Sequence, residues 1–477
     1  MPRRFLGAMS RKFAPEQYDL LPTDPSLRGN AGYGSLRSRR WSWRSITHAL
    51  RQRLTLRRLL ISSSLIPVFA VVAILCQGIP PSYNDIRHFE RRLPQHDLAL
   101  SSNERPRYLR FPGHLWGHGL NNILQETILM SYLAYMSNLS FVFEDYTWSH
   151  TPLPYTVYDF ALRPARIPLN AIISGPTAGG PMSNTAPRAV SAEFWEHVCA
   201  DKEKRYVISS EDAPNDADGN VIIDWWTEHL IASHHPCIEI DSSAHDLFDR
   251  FLFGGPRVLT LWDSLATSPI LTDFTWSPLV QSAVTRNFAL LQPESPKDLY
   301  DVSSPVTLPG LVAVHLRRGD YKRHCPNLAK WGAEYMGFNQ HPSLPDRFDP
   351  QPYKNDSSIL EDYYLEHCLP TIDQVVIRLR ELRREHPHLR RVYVLSNDWA
   401  WWLDALKEAL EEDGWDDLTS SLDIQLDAEQ YYVAMAVDMA IAEKADVFVG
   451  NGFSSLSSNV VMLRMAKGME ANSNRFL

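Results

Sequence analysis

Apolar and polar positions along residues 106–477 follow two rhythms. Ile123, Leu124, Ile128, Leu129, Tyr132, Leu133 and Met136 recur at helical spacing, which predicts a helix opened by the loop Gly117-His118-Gly119-Leu120-Asn121-Asn122. A short apolar run at 140–143, ending in Glu144-Asp145, predicts a strand after that helix. Residues 310–314 are apolar without a break, the pattern of a strand buried on both faces. From there the rhythm predicts a helix over 358–386, a strand over 392–395, helices over 401–411 and 434–443, and a strand over 447–449. That strand runs into Gly450-Asn451-Gly452-Phe453-Ser454-Ser455-Leu456 and a last helix towards Lys467. Strands are also expected at 205–209, 221–224 and 258–262, and a long polar loop at 322–356. Alternating strands and helices make parallel sheets with helices on both faces the economical α/β fold. Two Rossmann-like domains are expected, 106–300 and 301–477, with a cleft between them and a proline-rich linker over 292–309.

The amino-terminal segment changes the picture. Residues 59–79 form an uncharged, mostly apolar run of 21, long enough to span a bilayer that needs about 20 helical residues. Arg51, Arg53, Arg57 and Arg58 crowd one side and Pro80-Pro81 end the other. The n-region and the apolar run are both too long for a cleaved signal peptide, so an uncleaved anchor is expected. The positive-inside bias then predicts a single-pass type II membrane protein with a disordered basic tail (1–58) in the cytosol. A polar stem (80–105) would follow, with a luminal body in the Golgi or endoplasmic reticulum. Residues 1–58 hold 13 Lys or Arg against Glu16, Asp19 and Asp24, a net +10. With −9 overall the remainder carries −19, which argues against a nucleic-acid partner for the body.

Cys199, Cys237, Cys325 and Cys368 allow three pairings, of which sequence neighbours (Cys199–Cys237, Cys325–Cys368) are preferred. No C-x-x-C pair suggests zinc. Asn138 and Asn355 head glycosylation sequons, with Asn355, in a polar loop, the better acceptor.

The chemistry concentrates where strands end. His315-Leu316-Arg317-Arg318-Gly319-Asp320 follows the most apolar strand, and ligands in open α/β sheets bind at strand ends. Two adjacent guanidinium groups suit a diphosphate, and Asp320 would fix one of them in its working rotamer. The competing reading is a surface ion pair. Gly117 and Gly119 would let backbone amides of the following helix approach an anion, with Asn121 and Asn122 beside them; the plainer alternative is a tight turn. His118, between those glycines, is a candidate base for an acceptor hydroxyl. Ser454 and Ser455 are placed either to cap the last helix or to meet phosphate oxygens. Asp398, at a strand end, would accept hydrogen bonds from a base or ribose, or cap the next helix. Asp438, in an apolar helix, requires a partner or a ligand's amino groups, because an unpaired buried carboxylate is costly. Asp216-Ala217-Asp218-Gly219 lacks the strand that a metal-binding Asp-x-Asp needs and reads as a solvated turn; no metal or other cofactor is expected.

These motifs together resemble the protein O-fucosyltransferases, a group that shares a superfamily with the α1,6-fucosyltransferases and uses GDP-fucose. The resemblance extends over most of 108–468 and is carried by the loop Gly117-x-Gly119-Leu120-Asn121, by His315–Asp320, by Asp398, and by Val437-Asp438 with 448–455. It implies two facing Rossmann-like domains (the GT-B arrangement), inversion at the sugar and catalysis without a metal. It further implies that Arg317 holds the β-phosphate, that His315, Asp438, Ser454 and Ser455 line the nucleotide site, and that Asn121 contacts the diphosphate-sugar. One branch carries a glutamate where this chain has His118, and many members carry phenylalanine where it has Leu456. The acceptor so implied is a protein Ser or Thr. The alternatives are another nucleotide-sugar transferase acting on a glycan or polysaccharide, and a non-catalytic binding protein on the same fold.

Overall fold

In the computed structural model, which describes residues 68–69, 71–72, 78–97, 106–113, 119–158, 161–291 and 307–477, strands and helices build two parallel sheets. The first holds β1 (Tyr108–Arg110), β2 (Ser140–Phe143), β3 (Val190–Ser191), β4 (Tyr206–Ser209) and β5 (Cys237–Asp241), in the order β3-β2-β1-β5-β4. The second holds β6 (Leu308–Leu316), β7 (Arg391–Ser396), β8 (Asp417–Ser420), β9 (Ala445–Gly450) and β10 (Asn474–Phe476), in the order β8-β7-β6-β9-β10. All pairings within both sheets are parallel. The helices used below are α1 (Asn84–Arg91), α2 (Leu120–Met136), α3 (Gly219–Ala232), α4 (Tyr321–Trp331), α5 (Ser357–Cys368), α6 (Ile372–Glu385), α7 (Ala400–Glu412), α8 (Ala434–Lys444) and α9 (Ser455–Ala466).

β6 explains its own apolar run. Leu311 and Ala313 enter one core, whereas Val312, Val314 and Leu316 enter another, so both faces of the strand are covered. Gly310 takes a φ of +74° where the pairing with β9 slips between Leu308 and Val312, a conformation that glycine tolerates. The first of these cores also contains Leu109, Phe141 and Ile238 of the first sheet together with α2 and α9 residues. The two sheets therefore share buried surface, and they lie in one compact unit comprising residues 83–148 and 166–477. Asn459 donates from α9 to the Asn121 carbonyl of α2 (2.8 Å), and the Trp276 indole donates to Glu443 at 2.5 Å. A second unit holds 149–165 with the described part of 18–82; in it Tyr155–Tyr158 pairs antiparallel with Ala161–Pro164.

Several expectations are corrected. Residues 221–224 lie in helix α3, not a strand: Ile222, Ile223, Trp226 and Leu230 are buried on one side of it, while Val221 is exposed. Residues 258–262 fall in a 3₁₀ turn started by Pro256 and in the short helix after it. The polar loop 322–356 begins with most of α4, which tolerates Pro326. The single helix over 358–386 is two, α5 and α6, broken at Leu369-Pro370 and restarted by a capping box of Thr371 with Gln374. The expected stem is partly structured: α1 lies in it, Tyr83 and Leu93 at its ends are buried, and the Tyr83 hydroxyl donates to the Glu429 carbonyl at 3.0 Å. Among the described residues no helix is long and apolar enough to cross a membrane; most of 59–79, the tail 1–58 and the linker residues 292–306 lie outside the described residues. Cys199–Cys237 and Cys325–Cys368 are both disulfide-bonded. Asn138 and Asn355 are both exposed, although Asn138 precedes a buried strand.

Candidate active site

The second sheet changes direction at β6: β7 and β8 lie on one side of it, and β9 and β10 on the other. Crevices form at such switch points beyond the strands' carboxyl ends. A cavity lies there. His315 and Arg317 reach it from the end of β6, and Leu395, Ser396 and Asn397 from β7. Met435 and Asp438 line it from α8, Leu456 from α9, Gly119 and Leu120 from the start of α2, and Tyr146 and Trp148 from the segment after β2.

Arg317 is held edge-on by Asp320, with Nε 3.2 Å from both carboxylate oxygens and Nη2 2.8 Å from one. Asn397 adds a hydrogen bond to the same carboxylate at 3.0 Å. Burial pushes the Asp320 carboxyl up, but the Arg317 guanidinium and the hydrogen bonds from Arg317 and Asn397 outweigh it, leaving it below the usual carboxylate range. His315 is buried and bonded through Nδ1 to the Ser457 hydroxyl at 2.9 Å. Burial first, and then the charge of Arg317, lowers its pKa to about 3, so it is neutral at physiological pH. Asp438 accepts from the Tyr393 hydroxyl at 2.5 Å and from Ser421 Oγ at 2.9 Å, which supplies partners for a buried carboxylate on an apolar helix.

The expected pairing of two guanidinium groups on one ligand is not what the structure builds. Arg318 runs away from the cavity: Nε donates to Asp398 (2.8 Å), Nη1 to the Pro370 carbonyl (2.5 Å), and the guanidinium lies 4.0 Å from the Trp402 ring centre. Asp398, in turn, is engaged by the protein itself. It receives Arg318, Lys322 Nζ (2.8 Å) and the Trp399 amide (2.9 Å), with its side chain fully enclosed. Burial raises the Asp398 carboxyl, yet Lys322, Trp399 and Arg318 together leave its pKa lowered. Its two predecessors, Ser396 and Asn397, are the residues of that strand end that meet the cavity.

Gly119 is extended and precedes α2, as the loop pattern predicts. Asn121 and Asn122 are buried in the first turn; Asn121 Nδ2 contacts Met435 Sδ at 3.1 Å and the residue receives Asn459, so it joins α2 to α8 and α9. Gly117 and His118 lie outside the described residues. Ser454 caps α9, its hydroxyl accepting from the Leu456 amide at 3.3 Å, and Ser455 is buried at the first helical position. Asp216 is exposed and pairs with Arg257 at 3.1 Å, as a solvated turn should. Among the described residues no three His, Cys, Asp or Glu side chains gather as a metal-ligand set. Tyr146 and Trp148 were not anticipated: they alternate two apart straight after Glu144-Asp145, the spacing that puts both on one side of an extended chain.

Residues 279–467 match the family described as GDP-fucose protein O-fucosyltransferase. Over that segment the chain is similar to the GDP-fucose protein O-fucosyltransferases. The matched segment contains the cavity residues from His315 to Leu456, while Gly119, Leu120, Tyr146 and Trp148 lie before it. Among solved structures, POFUT1 in complex with GDP is similar at 17% identity, covering 78% of this chain and 98% of that one, with a TM-score of 0.45. A mutant of Arabidopsis thaliana FUT1 in complex with GDP is similar at 10% identity, covering 81% and 78%, with a TM-score of 0.35. NodZ α-1,6-fucosyltransferase soaked with GDP-fucose is similar at 10% identity, covering 75% and 92%, with a TM-score of 0.33. No curated protein matches the chain.

Proposed function

We propose that this chain is a GDP-fucose-dependent fucosyltransferase that inverts the sugar centre, works without a metal ion, and delivers fucose to the hydroxyl of a protein Ser or Thr. The supporting observation is Arg317: a guanidinium held edge-on by Asp320 at the mouth of the switch-point cavity. Cleaving the bond between fucose and GDP builds positive charge on the sugar and negative charge on the leaving phosphate. A pre-positioned guanidinium opposite that phosphate stabilises the charge where it develops. The donor's base and ribose would sit against Asp438, His315 and Leu456. The acceptor hydroxyl would attack from the opposite face of the sugar, giving its proton to a base, for which the loop before Gly119 offers His118. The GT-B reading of the two parallel sheets belongs to the same proposal, as does an anchored, luminal body behind residues 59–79, which rests on sequence pattern.

The test is transfer of labelled fucose from GDP-fucose, in EDTA, to folded protein domains and to free glycans, with the product's anomeric configuration read by NMR. Label on a Ser or Thr oxygen with inverted configuration supports the proposal. Transfer to glycans alone overturns the acceptor, retained configuration overturns the mechanism, and loss of activity in EDTA overturns metal independence.

A further inference from the structure

Asp320 holds the edge of Arg317; the next residue holds its face. Tyr321, the first residue of α4, is fully buried, and the Arg317 guanidinium carbon lies 4.7 Å from its ring centre. Its phenol then donates to the Phe453 carbonyl at 2.9 Å. That carbonyl belongs to the turn between β9 and α9, which carries Leu456 into the cavity. The same turn is gripped at other points: the Met336 amide and Asn339 Nδ2 donate to the Gly452 carbonyl (2.7 and 2.9 Å), and Asn451 Nδ2 donates to the Cys368 carbonyl at 2.7 Å. Tyr321 thus touches both the guanidinium and the turn.

We infer that Tyr321 is a positioning residue that sets the height of Arg317 and its distance from the β9–α9 turn. The inference rests on reading Arg317 as the group that meets the GDP phosphates. A cation over an aromatic face is attracted to it and loses freedom to swing. The phenolic hydrogen bond, buried and directional, then registers that ring to the turn. Orientation matters at such a site, because a displacement of about 1 Å at a reacting group costs on the order of 10²-fold in rate.

The experiment is a double-mutant cycle on the full chain with GDP as the probe, its dissociation constant followed by ligand-observed NMR into the millimolar range. Tyr321→Phe keeps the ring and removes only the hydroxyl, so the fold is retained. It is expected to weaken GDP about 5–10-fold, the effect of one buried hydrogen bond. In the Arg317→Ala background the same change is expected to cost less than twofold, since the group it positions has gone. An equal loss in both backgrounds, or no loss in the wild-type background, overturns the inference while leaving the reading of Arg317 standing. Unchanged GDP binding by Arg317→Ala alone overturns that reading and takes this inference with it.

Discussion

At the scale of single residues, two neighbouring arginines have different work. Arg317 faces the cavity, whereas Arg318 neutralises the enclosed carboxylate of Asp398. Arg317→Ala is expected to lower kcat on the order of 10²–10³-fold with little change in the denaturant midpoint. Arg318→Ala is expected to do the reverse. It leaves Asp398 buried with Lys322 as its remaining side-chain cation and removes the stacking on Trp402, so unfolding free energy should fall by about 3 kcal/mol while GDP affinity changes less than threefold. Urea unfolding beside GDP titration separates the two. The sequence marked this pair as one motif because adjacency was all it displayed; consecutive side chains leaving an extended segment point to opposite sides, and the partners that decide between them, Asp398 and Trp402, are 80 and 84 positions away. His315 carries a pH effect of definite sign. Its folded pKa of about 3 lies below the ordinary 6.5 of the unfolded chain, so the unfolded state binds the extra proton between those values. Its contribution is complete above about pH 6.5 and is lost as pH falls towards 3. Unfolding free energy measured at pH 7 and 4.5 should drop about 2 kcal/mol less in His315→Gln than in the wild type.

At the scale of elements, what was legible depended on whether an element's burial could be read from its own residues. β6 was plain, because a strand covered on both faces leaves 311–314 apolar without a break. β9 with the start of α9 was plain too, since glycines and serines mark where the strand stops and the helix is capped. α3 was not: Val221, Ile222 and Ile223 have strand propensity, and only the later Trp226 and Leu230 reveal the helical face. β3, β8 and β10 are two to four residues long and owe their existence to a neighbour's edge, which local pattern does not display. Gly452 tests how tightly the β9–α9 turn is held. A Cβ there would lie 2.3–2.4 Å from Tyr335 ring atoms. That ring cannot step aside, being packed by Phe348, Phe453 and Phe476 at centroid distances of 5.1 Å. Gly452→Ala is therefore expected to destabilise by about 1–3 kcal/mol. Because the turn must shift, GDP should bind at least several-fold more weakly. A calorimetric titration that finds wild-type affinity in a destabilised variant would show that the turn's position does not matter to the nucleotide.

At the scale of the molecule, the two disulfides separate stability from function. Cys199–Cys237 ties the end of the short helix Ala192–Val198 to the first residue of β5, at the amino end of the first sheet. Cys325–Cys368 instead joins α4 to the end of α5, and both helices reach the β9–α9 turn: Tyr321 of α4 bonds Phe453, and the Cys368 carbonyl accepts from Asn451. Their sequence separations, 38 and 43, are similar, so in the chain-entropy account each should stabilise by about the same amount, roughly 4 kcal/mol before strain. Replacing either pair by serines should therefore lower unfolding free energy comparably, by about 2–4 kcal/mol. The effect on GDP should not be comparable. Without the Cys325–Cys368 bond, α4 and α5 lose the restraint that keeps their hydrogen bonds on the turn, and GDP affinity should fall about tenfold under conditions where the protein is still folded. Without the Cys199–Cys237 bond it should stay within a factor of two, because the first sheet meets the cavity through α2 and the segment after β2, on the carboxyl side of its strands. Thermal melts define a temperature at which all three proteins are native, and GDP titration at that temperature gives the comparison. Equal losses from the two pairs would mean that the site responds to global stability, and the arrangement of α4 and α5 around the turn would then be packing alone.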